Sequence, residues 1–504
     1  MSTDVVDSTG SPPEVPGPFG APVPGAEAGP ALRADTLNLF DSTVVAVSSV
    51  APAYTLAATM FLLFSVVGVA YAGPAIIWLS FVPVLFIAIS YFHLNRRDPD
   101  CGASYAWLSK LVHPTVGWFN GWVQVATSVL FCISAPLVAG AYTLQLFNEW
   151  GWVSSSTASD IGTQAVVAGA WLALITFICI WGIRWTVDFQ WVLLTIEYVA
   201  VIGFSIWGIV KVAVSHPAGS TSFHWSWLSP MSVHGFAAFS GGLVLGVFFF
   251  WGWDTATNLN EESKNATKTP GHAGIIAMFL LLLIFAINII AAQMLLPAKE
   301  WNAHGATILL YFAQQAAGHW AGYVMIIAVL SSTVATTQTT LLPAARITLS
   351  MSRDRVFPKV FGTIQGKLKT PAVGTLILAF ICMFGIVMVS NVSSISKVFG
   401  DLISNIGVLI AFYYGVTGVT CAWAYRKVAF KEVRFFFTGI LLPFVGGVVL
   451  LAVGVKVIAV AGWSGGYADI ITLVLGVPLV ILARLTTKGD FFKQKPVAYT
   501  EIGE

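Results

Sequence analysis

The sequence predicts an all-α integral membrane protein of about twelve transmembrane helices, on three observations. Of 504 residues, 57% are apolar and only 10% charged, against roughly a quarter charged in a soluble domain, and the mean hydropathy is +0.81. From Leu37 onward, apolar stretches long enough to cross about 30 Å of hydrocarbon recur one after another. The loops between them alternate between rich and poor in Lys and Arg.

The stretches fall at 38–67, 71–93, 114–147, 163–183, 188–212, 234–259, 271–297, 319–350, 371–390, 397–424, 434–460 and 467–485. With both termini cytoplasmic, this threading places 21 of the 25 Lys and Arg inside and leaves Lys211, Lys299, Lys397 and Lys456 outside. That is the bias expected of a plasma (inner) membrane protein. One helix more or fewer would scramble it. Residues 1–34, rich in Pro, Gly, Ala and Ser, cannot bury a core and read as a disordered cytoplasmic tail; residues 486–504 read as a second tail. The body divides into a transport core at 35–424, with halves at about 38–212 and 234–424, and two additional helices at 425–485.

Two connections are longer than a turn and read as partly helical, Cys101–Leu111 and Ala303–Ala317. They lie five spans apart on opposite faces, the relation inverted five-helix repeats produce.

The first and sixth spans are interrupted. In the first, Ser48-Ser49-Val50-Ala51-Pro52-Ala53 contains a proline, which deletes a backbone donor and disfavours helix before it. In the sixth, Phe248 precedes Trp251-Gly252-Trp253-Asp254, a glycine and an acid in mid-span. Broken helices survive inside lipid only where they line a cavity. Their half-helix ends then offer N–H groups to anions and carbonyls to cations.

Three motifs resemble the amino acid–polyamine–organocation (APC) transporters, in family order. They are Gly252-Trp253-Asp254 with Asn260-Glu261-Glu262-Ser263-Lys264-Asn265; Cys101 to Trp107 with Gly117 to Trp122; and Arg346 with Ser352-Arg353-Asp354-Arg355-Val356-Phe357-Pro358 and Thr370-Pro371. The resemblance implies a LeuT-type 5+5 inverted-repeat fold, amino acid permease type. It also implies alternating-access transport of an amino acid or related amine, often coupled to protons. The family's first-helix break is usually glycine-rich; here it is Ser-Val-Ala-Pro-Ala, whose bulkier neighbours narrow the carboxylate cradle.

Ionisable residues inside spans are costly and functional by default. Glu197 lies mid-span in the fifth helix, where several proton-coupled relatives carry a lysine, and a buried carboxyl there can load and release a proton. Ser332 and Thr333 resemble the eighth-helix hydroxyls that face this site. Asp254 can accept an amine, Phe248 resembles the family's aromatic lid, and Trp251 and Trp253 flank the break. Gln124 shares one face of the third helix with Asn120, Thr127 and Ser128. Glu261, Glu262, Arg353 and Asp354 are expected to form cytoplasmic-gate ion pairs.

The leading reading is a secondary active permease, by the resemblance a proton symporter, with a lean to cationic amino acids or polyamines because two buried carboxylates suit ammonium groups. An exchanger or uniporter on the same fold is the alternative, followed by a sensor that no longer transports. No hydrolase, metalloprotease or P-loop motif points to an enzyme. The five cysteines show no metal spacing and no cofactor is expected. A net charge of +2 without basic runs argues against nucleic acid as a partner. The expected partners are the substrate, protons and the bilayer.

Overall fold

A computed structural model describes residues 32–301, 303–389, 395–487 and 489–500; most of the N-terminal tail expected at 1–34 lies outside them. The described chain is helical, and its β-pairing is limited to one isolated bridge, Leu37 with Ser263.

The first span is two helices, α1 (Leu39–Val50) and α2 (Pro52–Ser65). Then come α3 (Gly73–Arg97), the short α4 (Ser104–Leu111), α5 (Pro114–Glu149), α6 (Ile161–Trp181) and α7 (Ile183–Ser215). The second half repeats the pattern: a broken span whose first part is α8 (Phe236–Phe249), then α9 (Thr269–Leu295), the short α10 (Ile308–Ala317), α11 (His319–Arg353), α12 (Ala372–Val389) and α13 (Ile395–Ala424). The short helices α4 and α10 occupy the two connections that the sequence marks as partly helical. Two further spans follow, α14 (Val433–Val460) and α15 (Ile470–Thr486).

Ten spans among the described residues are long and apolar enough to cross a bilayer, two fewer than the expected twelve. The missing two are shorter apolar helices at the expected places. The sixth span is cut to 14 residues by its break, and the twelfth is α15.

Packing is that of a protein with an apolar exterior. Val199, Trp207, Phe380 and Phe384 are exposed, whereas Glu197, Gln190, Asn288 and a run of α11 hydroxyls are buried. The α11 hydroxyls face the bundle and α7. Gln190 Nε2 donates to Gln338 Oε1 at 2.6 Å, closing the α7–α11 contact.

Arg97, Lys110 and Arg353 gather on one face, the basic face: Arg97 lies over the Tyr499 ring, Lys110 pairs with Asp98, and Lys110 and Arg353 both act on Asp354. Asn38 and Asp41 form a reciprocal capping box that starts α1 there. Backbone bonds from Thr36 and Leu37 to Glu262 O, and from Lys264 to Leu37 O, tie the segment before α1 to the segment after the sixth span. The segment after α15 lies along the same face. Phe491 and Phe492 are buried, the Phe491 ring stacks on Tyr105, and Tyr499 N–H donates to Ala424 O.

Candidate substrate and coupling site

Interrupting a helix inside lipid frees backbone groups, and each must find a partner. At the first break Ala51 adopts a left-handed conformation (φ 50, ψ 75) and Pro52 begins α2. A non-glycine residue held there costs about 1–2 kcal/mol, so the surroundings must over-determine it. They do. Ala53 N–H donates to Glu197 Oε1 at 2.7 Å and Tyr54 N–H to Ser332 Oγ at 3.0 Å. The freed carbonyls of Ser49 and Val50 accept from Thr336 Oγ1 and Thr55 Oγ1, both at 2.6 Å. Side chains of α7 and α11, with Thr55 of α2 itself, thus replace the helix's own ladder.

The sixth span breaks directly opposite. Gly252 has φ +117, and a Cβ there would stand 2.9 Å from both the carbonyl carbon and oxygen of Ser49. The two breaks therefore meet backbone to backbone, and only glycine satisfies both the dihedral and the spacing. Ser49 Oγ and Thr255 Oγ1 share a hydrogen bond of 2.9 Å across the junction. Thr255 Oγ1 also reaches Thr339 O at 3.3 Å; Pro343, lacking an N–H, leaves that carbonyl without its usual donor four residues on.

Beside this junction lies a narrow cleft lined by Ser49, Gln124, Ser128, Trp251, Gly252, Asp254, Thr255, Asn258, Thr340, Pro343, Ile347 and Tyr413. Asp254 supplies its charge. Tyr414 Oη donates to Asp254 Oδ1 at 2.8 Å and Tyr413 Oη to Oδ2 at 3.3 Å. Trp251 Nε1 in turn donates to Tyr413 Oη, which fixes the indole, the phenol and the carboxylate as one unit. Aromatic rings close one side: Phe131 lies edge-on to Trp251 at 5.0 Å and to Tyr54 at 5.4 Å, with Phe248 6.3 Å from Phe131 and from Trp251.

Of the residues expected to bind substrate, Ser49, Gln124, Trp251, Gly252 and Asp254 line the cleft. Val50, Ala51, Pro52 and Ala53 form the break without facing it, Ser48 is buried beside them, and Phe248 sits behind Trp251. Trp253 turns away, packing between Tyr91 and Tyr414 at 5.1 and 5.5 Å, with Gly274 leaving room for its ring. Tyr413, Tyr414 and Phe131 were not singled out in the sequence. The available signal was the Tyr413-Tyr414 pair, two phenols in mid-span that need partners.

Glu197 is fully buried, with Ser332 beside it. Thr333 donates to Val329 O at 2.6 Å, one turn back on its own helix, so its hydroxyl bonds within α11.

The four expected gate residues do not form one set of exposed pairs. Arg353 Nη1 meets Glu261 at 2.8 and 3.0 Å in a partly exposed pair. Glu262 instead bonds Arg346 through two parallel hydrogen bonds of 2.7 and 2.9 Å, and both side chains are at most 1% exposed. The Glu262–Arg346 pair is thus buried, whereas the Glu261–Arg353 pair is partly exposed. Asp354 accepts from Tyr105 Oη at 2.6 Å. Burial pushes the Asp354 carboxyl up to about 7, with Asp100 adding to the rise and Tyr105, Lys110 and Arg353 opposing it.

Asp100, Cys101 and Glu261 bring their ligand atoms within 4.8 Å of one another. Arg353 already holds Glu261, and Gly102 N–H and Ser350 Oγ already hold Asp100 Oδ1, so the cluster is engaged by the protein rather than arranged for a cation.

The profile of the amino acid permease family matches residues 37–483. Among curated proteins, the chain is 26% identical to a low-affinity putrescine importer of Escherichia coli (strain K12), covering 82% of this chain and 88% of that one. It is 25% identical to a methylthioribose transporter of Bacillus subtilis (84% and 87% covered) and 24% identical to a branched-chain amino acid permease of Lactococcus lactis (72% and 77% covered).

Proposed function

Because the chain belongs to the amino acid permease family, we propose that it is a proton-coupled secondary transporter of a small amine-bearing solute. It would sit in the plasma (inner) membrane with its basic face and both termini cytoplasmic. The observation that carries this reading is the cleft at the junction of two broken helices, with Asp254 as its charged group. An ammonium group entering there meets a carboxylate oriented by two phenols, in surroundings where water competes weakly.

Glu197 supplies the coupling. It ties α2 to α7 through Ala53 N–H. Protonation exchanges a charge-assisted acceptor for a neutral one and weakens that tie. Movement of α2 against α7 and α11 is then linked to proton occupancy, which is what alternating access driven by a proton gradient requires. On the basic face, the Glu261–Arg353 pair and the Tyr105–Asp354 bond join separate helical elements and must part for the cleft to open inward.

The test is an uptake screen in proteoliposomes with labelled arginine, lysine, putrescine, γ-aminobutyrate and neutral amino acids, with and without an imposed pH gradient. Gradient-stimulated accumulation of at least one solute is expected. Absence of uptake across the whole set contradicts the proposal.

A further inference from the structure

Glu197 meets the first break through Ala53 N–H and is not among the residues that line the cleft. A proton bound there needs a route to water of its own. The seam between α1, α7 and α11 holds the polar groups for one. Gln190 stands two turns from Glu197 on the same buried face of α7, about 10 Å toward the basic face. Its Nε2 donates to Gln338 Oε1 at 2.6 Å and to Ala335 O at 3.1 Å, both on α11. The second bond fixes the amide's orientation, since turning it over would set oxygen against oxygen.

Four buried side-chain atoms along this seam have no hydrogen-bond partner among the described residues: Glu197 Oε2, Gln190 Oε1, Gln338 Nε2 and Ser48 Oγ. Ser48 belongs to the row by helix geometry, two turns from Asp41 on one face of α1. Asp41 itself meets α7, accepting from Arg184 Nη1 and Trp191 Nε1, both at 3.3 Å. A buried polar group without a partner is costly, and a bilayer offers it no solvent. The four include both donors and acceptors, the mixture that bridging water satisfies. At the basic face the row reaches solvent: Arg184 and Asp188, paired at 2.8 Å, are 45% and 52% exposed.

We infer that Glu197 releases its proton toward the basic face along this seam, through water held by Gln190, Gln338 and Ser48, and not through the cleft. The inference rests on the coupling reading above and deepens it. Solute and proton then travel by separate routes, the solute beside Asp254 and the proton between α1, α7 and α11. In the release step the protonated carboxyl of Glu197 gives its proton to the adjacent water, and the carboxylate left behind keeps Ala53 N–H as a charge-assisted donor. Gln190 and Gln338 are positioning residues: a neutral amide does not titrate, so both act by orienting the water.

Comparing net uptake with exchange tests the route, because only net uptake requires Glu197 to lose its proton on the inner side. Proteoliposomes under an outside-acid gradient are given labelled putrescine, and each solute of the panel above that the wild type accumulates. Gln190→Leu and Gln338→Leu should each slow net uptake at least about tenfold, while exchange of internal for external solute stays within about twofold of wild type. Gln190→Ser, which keeps a hydroxyl and leaves room for water, should recover most of the net rate. Ser48→Ala, a smaller change, should slow net uptake about threefold. Wild-type net uptake by a folded Gln190→Leu or Gln338→Leu overturns the inference and leaves the transport reading intact. Equal loss of uptake and exchange also overturns it, since that marks a structural role. If neither leucine variant folds, undiminished net uptake by Ser48→Ala overturns the route. A wild type that accumulates none of the solutes overturns both the route and the transport reading.

Discussion

Gly252 lies so close to Ser49 that one added carbon would come within 2.9 Å of the Ser49 carbonyl. The contact joins the two interrupted spans at their weakest points, and the cleft opens beside it. Gly252→Ala is expected to destabilise the protein by about 2 kcal/mol through the forced φ and the clash, and to abolish uptake even in the fraction that folds. Thermal melting in detergent, paired with uptake per folded molecule, checks both. Near-normal uptake would mean that the junction is not where substrate is held.

The Tyr414–Asp254 bond orients the charge of the cleft. Tyr414→Phe leaves the ring in place and removes one hydrogen bond to a carboxylate, a loss of about 1.5–3 kcal/mol if the bond is fully formed. The expected outcome is a raised KM for amines with the transport maximum less affected. Asp254→Asn should weaken binding of cationic solutes more than of neutral ones; equal effects would remove Asp254 as the ammonium contact.

Two Glu–Arg pairs near the basic face should behave very differently. Removing Arg346 leaves Glu262 as an unpaired buried charge, and Arg346→Ala should cost about 3–5 kcal/mol. Arg353 and Glu261 are 39% and 25% exposed, and Arg353→Ala should cost about 1 kcal/mol or less. Melting temperatures of the two variants test the contrast directly. The prediction for Arg353→Ala extends to function: a looser basic face should raise exchange relative to net uptake.

Asp354 makes stability depend on pH. Its carboxyl stands near 7 in the folded protein against an ordinary 3.8, so the folded state holds the proton more tightly. That contribution is fully present below about pH 4 and is lost as pH rises toward about 7. The melting temperature of the wild type should fall over this window more than that of Asp354→Asn, which cannot ionise and still accepts from Tyr105. Parallel curves would show that Asp354 does not titrate in this range.

Hydropathy and loop charge alone located the membrane spans, because a bilayer imposes length and polarity on every segment that crosses it. Both breaks were also legible, Pro52 by its missing donor and Gly252 by its place beside an acid. What stayed hidden was pairing between distant segments. Glu262 reads in the chain as one of two equivalent loop acids, and only the approach of α11 selects Arg346 as its buried partner. Tyr413 and Tyr414 reach Asp254 from about 160 residues away, a contact that no local pattern encodes. Trp253 shows the converse: adjacency to Gly252 suggested a place in the cleft, but the turn at the break rotates its ring to the other side.

The proposed coupling rests on Glu197 holding the first break through Ala53 N–H at 2.7 Å. The most direct test is accumulation of labelled putrescine by proteoliposomes under an outside-acid gradient, in wild type and in Glu197→Gln. Wild type should concentrate the amine above equilibrium and lose it on adding a protonophore, while Glu197→Gln should exchange internal for external putrescine without concentrating it. Concentration by Glu197→Gln to the wild-type level would contradict the account.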